Sequence, residues 1–125
     1  MIKDIDIVIY GATGFTGQLC VKYFQSLDLD IKWAIAGRNL GKLKNIASNI
    51  SPNIEILVAD SDDEKGLRDI CSRSKVVLST AGPFHRYGSK LVAACIENDT
   101  NYVDITGENF WVKELIEKHH EEASR

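Results

Sequence analysis

The sequence predicts an α/β fold: one doubly wound parallel sheet, strand order 3-2-1-4-5, with helices on both faces. Three observations predict it. Short apolar runs alternate with helical periodicities five times along the chain. The runs are continuous in Val, Ile and Leu, as in strands covered on both sides, rather than alternating apolar with polar. The first run also empties directly into a glycine-spaced turn that opens a helix. Right-handed crossovers then make 3-2-1-4-5 the natural order.

The elements follow in sequence. Residues 5–10 read as the first strand and 15–26 as the helix after it. Residues 31–36 read as the second strand. Over 40–49, Leu40, Leu43, Ile46 and Ala47, with Ile50 beyond, form a helical stripe. Ser51-Pro52-Asn53 is a breaker. Residues 54–59 are a third strand, and 62–72 a helix whose opening acidic residues suit its positive end. Residues 75–80 form a fourth strand, 89–98 a helix with a small-residue face, 101–105 a fifth strand and 110–122 a last helix.

The glycine turn carries the most information. In Gly11-Ala12-Thr13-Gly14-Phe15-Thr16-Gly17 the spacing is G-x-x-G-x-x-G, where the usual fingerprint is G-x-G-x-x-G. Gly14 and Gly17 keep the usual separation, and the first glycine stands one residue further back. A helix N-terminus offers unpaired N–H groups and the positive end of a dipole, so a pyrophosphate can sit there with little added charge. Without a Cβ, glycine lets the backbone approach that ligand closely. The corner therefore predicts a dinucleotide site; the plain alternative is an ordinary strand-to-helix turn.

Composition sets bounds on the remaining readings. The 125 residues suit a single domain able to bury a core, and 44% of them are apolar. The net charge is −3, with both signs scattered, so no basic stripe marks a nucleic-acid partner. The apolar runs are too short to span a membrane. Residues 1–6 lack the basic start of a signal peptide, which makes a cytoplasmic location the default expectation. Cys20, Cys71 and Cys95 are far apart and form no C-x-x-C. They are expected to be small buried thiols in a reducing compartment, not a zinc site or a disulfide scaffold. His119 and His120 are adjacent and so point to different helix faces; no metal is expected there.

The end of the second strand bears on which dinucleotide is bound. An acidic residue there would hold the ribose hydroxyls of NAD. The sequence instead reads Ala36-Gly37-Arg38-Asn39. Gly37 leaves room for the adenosine, and the Arg38 guanidinium suits a 2′-phosphate. This favours NADP, with NAD as the alternative; otherwise Arg38 is a solvated loop charge. Asn39 is a donor to the nucleotide or the cap of the next helix. Asp60 is either an acceptor for the adenine amine or a turn carboxylate, since Ser61, Asp62 and Asp63 all favour turns. Ser79-Thr80-Ala81-Gly82-Pro83-Phe84 closes the fourth strand with small residues, either to let the nicotinamide half pass or as a simple turn.

Four segments together resemble the N-terminal part of the saccharopine dehydrogenase-like oxidoreductases: residues 11–17, 36–38, 79–84 with Tyr87-Gly88, and 102–108. Bacterial trans-acting enoyl reductases look similar over the same region. The resemblance implies a Rossmann domain, an NAD(P) ligand and hydride transfer. It implies that the backbone of Thr13, Gly14, Phe15 and Thr16 binds pyrophosphate and that Arg38 meets the adenosine phosphate. Ala81, Gly82 and Pro83 would line the nicotinamide side. Asp104, Thr106 and Glu108 would face the cleft mouth, or else form a turn with helix capping at Thr106 or Glu108. Members of the family carry a second α+β domain that supplies most of the substrate pocket. Residues 1–125 are therefore expected to be the cofactor module of a longer protein, inactive alone, acting on an unknown small molecule. The open sheet edge and uncovered apolar surface favour a homodimer.

No catalytic acid is assigned. His85 and Tyr87 lie near the expected nicotinamide, but His85 also reads as a loop histidine and Tyr87 as packing at a helix start. The Tyr-x-x-x-Lys pattern of short-chain reductases is absent: Leu91 stands four residues after Tyr87. A non-catalytic NADP sensor or scaffold is the rival function, and a structural module with a vestigial nucleotide corner is a third.

Overall fold

Five parallel strands, β1 (Ile5–Tyr10), β2 (Trp33–Gly37), β3 (Glu55–Val58), β4 (Ser74–Ser79) and β5 (Asn101–Asp104), form one sheet in the order β3-β2-β1-β4-β5. The helices are α1 (Phe15–Leu27), α2 (Leu40–Ser48), α3 (Glu64–Arg73), α4 (Phe84–Tyr87), α5 (Ser89–Glu97) and α6 (Asn109–Ala123). The structure, a computed structural model, describes residues 3–51 and 53–125. Pro52 of the predicted breaker, with Met1 and Ile2, lies outside the described residues. The flanking turn is present: the Ile54 amide donates to the Ser51 carbonyl at 3.3 Å.

The sheet separates two apolar cores, which explains the continuous strand sequences. Val8, Tyr10, Ala34, Ala36 and Val77 pack beneath α3 and α5, meeting Leu67, Ile70, Leu91 and Ala94. Ile9 and Ile35 turn to the other face and meet Val21 of α1 and Leu43 and Ala47 of α2. Successive strand side chains thus alternate between faces, and both faces are covered. Trp111 anchors α6 by stacking on Phe84, with 5.8 Å between ring centroids, and its indole N–H donates to Ser89 Oγ at 2.9 Å.

Several boundaries differ from expectation for local reasons. β2 starts at Trp33, because Lys32 and Asp6 exchange hydrogen bonds just before it: each amide donates to the other residue, at 2.8 and 2.9 Å. α3 starts at Glu64, because the Asp63 side chain accepts the Gly66 amide at 3.0 Å and caps the helix. α4 is a one-turn helix that the sequence pattern does not announce. Cys71 and Cys95 are buried and free, with sulfurs 3.5 Å apart, and their contact together with burial pushes the Cys95 thiol far up. Cys20 is only half-buried, because α1 buries just Gly17 and Val21. The same helix exposes Phe15, Leu19 and Tyr23, spaced at i, i+4 and i+8, and among the described residues β5 pairs only with β4. The apolar surface and open edge expected from the sequence are both present.

An ionic cluster closes the N-terminal end of the sheet. Arg73 donates to Asp4 at 2.8 and 3.1 Å and to Glu55 at 3.0 Å, and Lys32 adds contacts to both carboxylates at 3.2 and 3.4 Å. The Arg73 hydrogen bonds hold the Asp4 and Glu55 carboxyls below their usual range. Folded pKa values below unfolded ones add stability at neutral pH that is lost on acidification. We expect the urea midpoint to be flat above about pH 5 and to fall below about pH 4, where ordinary carboxylates protonate. Arg73→Met should lower the neutral midpoint and flatten the acid limb. An unchanged limb in urea titrations at several pH values would remove the cluster from the ledger.

Candidate cofactor site

The C-terminal ends of β1, β2 and β4 open on one cavity of about 210 Å³. Its floor is the glycine corner. The amides of Gly11 and Ala12 both donate to the Ala36 carbonyl, at 2.9 and 3.2 Å, so the chain leaves β1 still attached to β2. Gly11 then takes φ +84°, a region that L side chains rarely adopt. A Cβ there would also lie 2.9 Å from the Ala81 amide nitrogen. Thr80 seals the joint from β4: its amide donates to Tyr10 at 3.0 Å, and its hydroxyl lies 3.2 and 3.1 Å from the Tyr10 and Gly11 carbonyls.

Gly14 is the N-cap of α1 and brings no side chain to cap it. The first intrahelical bond is Gln18 N–H to the Gly14 carbonyl at 2.9 Å. The amides of Phe15, Thr16 and Gly17 therefore have no acceptor among the described residues. Three such donors at the positive end of a thirteen-residue helix suit an anion. Gly17 has a different task. A Cβ there would overlap the Gly11 carbonyl oxygen and sit 2.8 Å from Ala12 Cα, so this glycine lets α1 seat against the corner.

The cavity gathers Gly11, Thr13, Gly14, Gly37, Arg38, Ala81 and Gly82 from the sequence-derived set. Phe15, Thr16, Gly17, Asp60 and Pro83 are not on its wall. Arg38 is exposed and has no carboxylate partner among the described salt bridges, which leaves its guanidinium available to a ligand. Asn39 caps α2, its Oδ1 accepting the Lys42 amide at 3.0 Å. Asp60 Oδ1 accepts the Asp62 amide at 3.0 Å, forming the turn that its neighbours favour. Tyr10, Ser61, Thr80 and Tyr87 also line the cavity. Tyr87 ends α4 and faces this space, a position that the packing expectation missed.

The β5 end is organised by one carboxylate. Glu108 occupies the N-cap of α6 but makes no side-chain bond there. Its carboxylate reaches α4 instead, accepting the Phe84 amide at 2.7 Å and the His85 amide at 3.1 Å, and it also pairs with His85 Nδ1. Those amide and imidazole contacts hold the Glu108 carboxyl below its usual range, against the desolvation that raises it. Thr106 Oγ1 accepts the Glu108 amide at 3.0 Å, and Asp104 Oδ1 accepts the Thr106 amide at 3.0 Å. Asp104, Thr106 and Glu108 thus build a turn, and the capping that occurs is of a different helix. No group of three or more His, Cys, Asp or Glu suited to a metal ion occurs among the described residues. No helix among them is long and apolar enough to cross a membrane.

Residues 7–125 match the family described as "Saccharopine dehydrogenase NADP binding domain". The chain belongs to this family. As such it is an NADP-binding domain of the oxidoreductase type, and the resemblance read from its four segments is correct. A "Trans-acting enoyl reductase" of Mycobacterium leprae is 38% identical over 98% of the chain and 30% of its own length. A "Lipid droplet localized protein" of Caenorhabditis elegans is 36% identical over 94% of the chain and 30% of its own. The chain therefore spans about three tenths of the relatives it matches. Among solved structures, saccharopine dehydrogenase (L-Glu forming) from Saccharomyces cerevisiae superimposes with a TM-score of 0.71 at 21% identity, over 89% of this chain and 24% of that one. A short-chain dehydrogenase/reductase from Veillonella parvula in complex with NADP does so with 0.67 at 16%, over 84% and 48%. These likenesses carry the Rossmann-type fold and the strand order.

Proposed function

We propose that this NADP-binding domain holds the dinucleotide across the C-terminal edge of the sheet as the cofactor half of a longer reductase. One observation carries the reading: Gly14, the N-cap of the helix whose first three amides have no acceptor among the described residues, and Arg38, whose guanidinium is available, line a single cavity. The α1 amides bind the pyrophosphate, Arg38 pairs with the 2′-phosphate, and Gly37 accommodates the adenosine. Ala81, Gly82 and Pro83 leave a low wall for the nicotinamide. The bound cofactor supplies a hydride, and the domain's part is to hold and orient it. The rest of the longer protein supplies the substrate pocket. Relatives that carry reductase names favour this reading over a sensor that never turns over its nucleotide.

Calorimetric titration with NADPH and with NADH tests it. NADPH is expected to bind at least tenfold more tightly, from one charge-assisted phosphate contact. Equal affinities would remove the role of Arg38, and failure to bind either nucleotide would overturn the reading.

A further inference from the structure

The cavity has a wall that the glycine corner and Arg38 do not explain. Tyr10 is the last residue of β1 and is buried, yet it lines the cavity. Its neighbour in register on β2 is Ala36, which contributes only a methyl group and leaves room for a ring to pass. The phenol reaches beyond β2 and donates to the Ala59 carbonyl at 3.0 Å. Ala59 directly follows β3 and precedes Asp60 and Ser61, and Ser61 also lines the cavity. One hydroxyl thus ties the first strand to the loop after the third, across the strand between them.

We propose that Tyr10 is a positioning residue for the adenosine half of the cofactor: its hydroxyl fixes the Asp60–Ser61 backbone at the distance the adenosine needs, opposite Gly37 and Arg38. The inference rests on the cofactor reading above. Several features support it. The loop is otherwise held to the sheet by one backbone bond, from the Ala59 amide to the Gly37 carbonyl at 3.0 Å. Within the loop, Asp62 N–H donates to Asp60 Oδ1 and Asp63 N–H to the Asp60 carbonyl; further along, Lys90 of α5 reaches the exposed Asp62 carboxylate at 3.3 Å and Asp63 caps α3. Without the phenol, the Ala59 amide is the one hydrogen bond left between the start of this loop and the sheet among the described residues. Burial and the nearby acidic loop push the Tyr10 hydroxyl up to about 12, so it remains a donor throughout the neutral range.

The tie acts on adenosine and not on the 2′-phosphate, which sets its signature apart from that of Arg38. Tyr10→Phe removes the hydroxyl and keeps the ring. Wild type and variant are titrated with adenosine 2′,5′-bisphosphate, NADPH and NADH, at a temperature where thermal unfolding shows both fully folded. The expected result is that Tyr10→Phe weakens all three ligands by one common factor, about three- to tenfold for a lost neutral hydrogen bond. The NADPH-to-NADH ratio stays at the wild-type value. Unchanged affinities beside a lowered melting temperature would overturn the proposal and leave Tyr10 as a core residue. Loss of NADPH affinity alone would overturn it too, by placing Tyr10 with the phosphate. Wild-type protein that binds none of the three ligands would instead overturn the cofactor reading beneath it.

Discussion

Gly17→Ala should lower the stability of this domain by about 3 kcal/mol, the upper part of the range for overpacking a close contact. Two effects compete. Alanine is the better helix former, by up to about 1 kcal/mol at an interior position. The new methyl group, however, would overlap the Gly11 carbonyl oxygen and crowd Ala12 Cα at 2.8 Å. Those atoms are backbone in a corner already held by hydrogen bonds to Ala36 and Thr80, so no flexible side chain can move aside. Crowding therefore wins, and α1 must lift from β1. Because single domains are stable by only about 5–15 kcal/mol, the loss should be plain in a urea titration. Gly41→Ala serves as the control: it sits in the exposed first turn of α2 with only the Asn39 Oδ1 atom near, at 3.5 Å, and should be neutral or mildly stabilising. Equal midpoints for Gly17→Ala and wild type would mean that α1 is not seated as described.

Arg38→Asp is the second large effect, and it concerns recognition. Replacing the guanidinium with a carboxylate removes a charge-assisted contact and sets a like charge against the phosphate. NADPH affinity should fall about a hundredfold, equivalent to about 3 kcal/mol, the upper range for hydrogen bonds to charged groups. NADH lacks the 2′-phosphate, and an acidic side chain at the end of the second strand suits its ribose hydroxyls. Its affinity should hold or rise slightly. Parallel calorimetric titrations read both. A variant that loses both nucleotides equally would show that Arg38 shapes the loop and does not discriminate. Since Arg38 is exposed and outside the salt bridges, stability should not change with it.

How much was legible in the sequence depended on the range of the interaction involved. The strand order, the two-faced core and the glycine corner follow from local patterns: continuous apolar runs, helical stripes and the spacing of Gly11, Gly14 and Gly17. Asn39 and Asp63 could be placed near helix starts because caps act within three or four residues. What escaped were contacts between distant segments. Tyr10 reads as one more strand residue until its hydroxyl is seen at the Ala59 carbonyl, forty-nine positions away. Glu108 looks like the cap of the helix that follows it, and only the folded chain shows it capping α4. The helix at 84–87 was equally invisible, since its first two amides are satisfied by that remote carboxylate. Asp60 had two readings that composition alone left open, and the turn it makes with Asp62 takes only Oδ1, so both readings stand.

The Glu108 contact also bears on the order of assembly. The first sixty-one residues contain β1, β2, β3 and the residues assigned to the adenosine side of the cavity. The wall after β4 is different, because the amides of Phe84 and His85 find their acceptor twenty-four and twenty-three positions later. That wall cannot take its final shape until β5 has docked and delivered the carboxylate. During synthesis from the N-terminus, the residues of one side of the cleft emerge first, while the wall after β4 still waits for the carboxylate that follows the last strand.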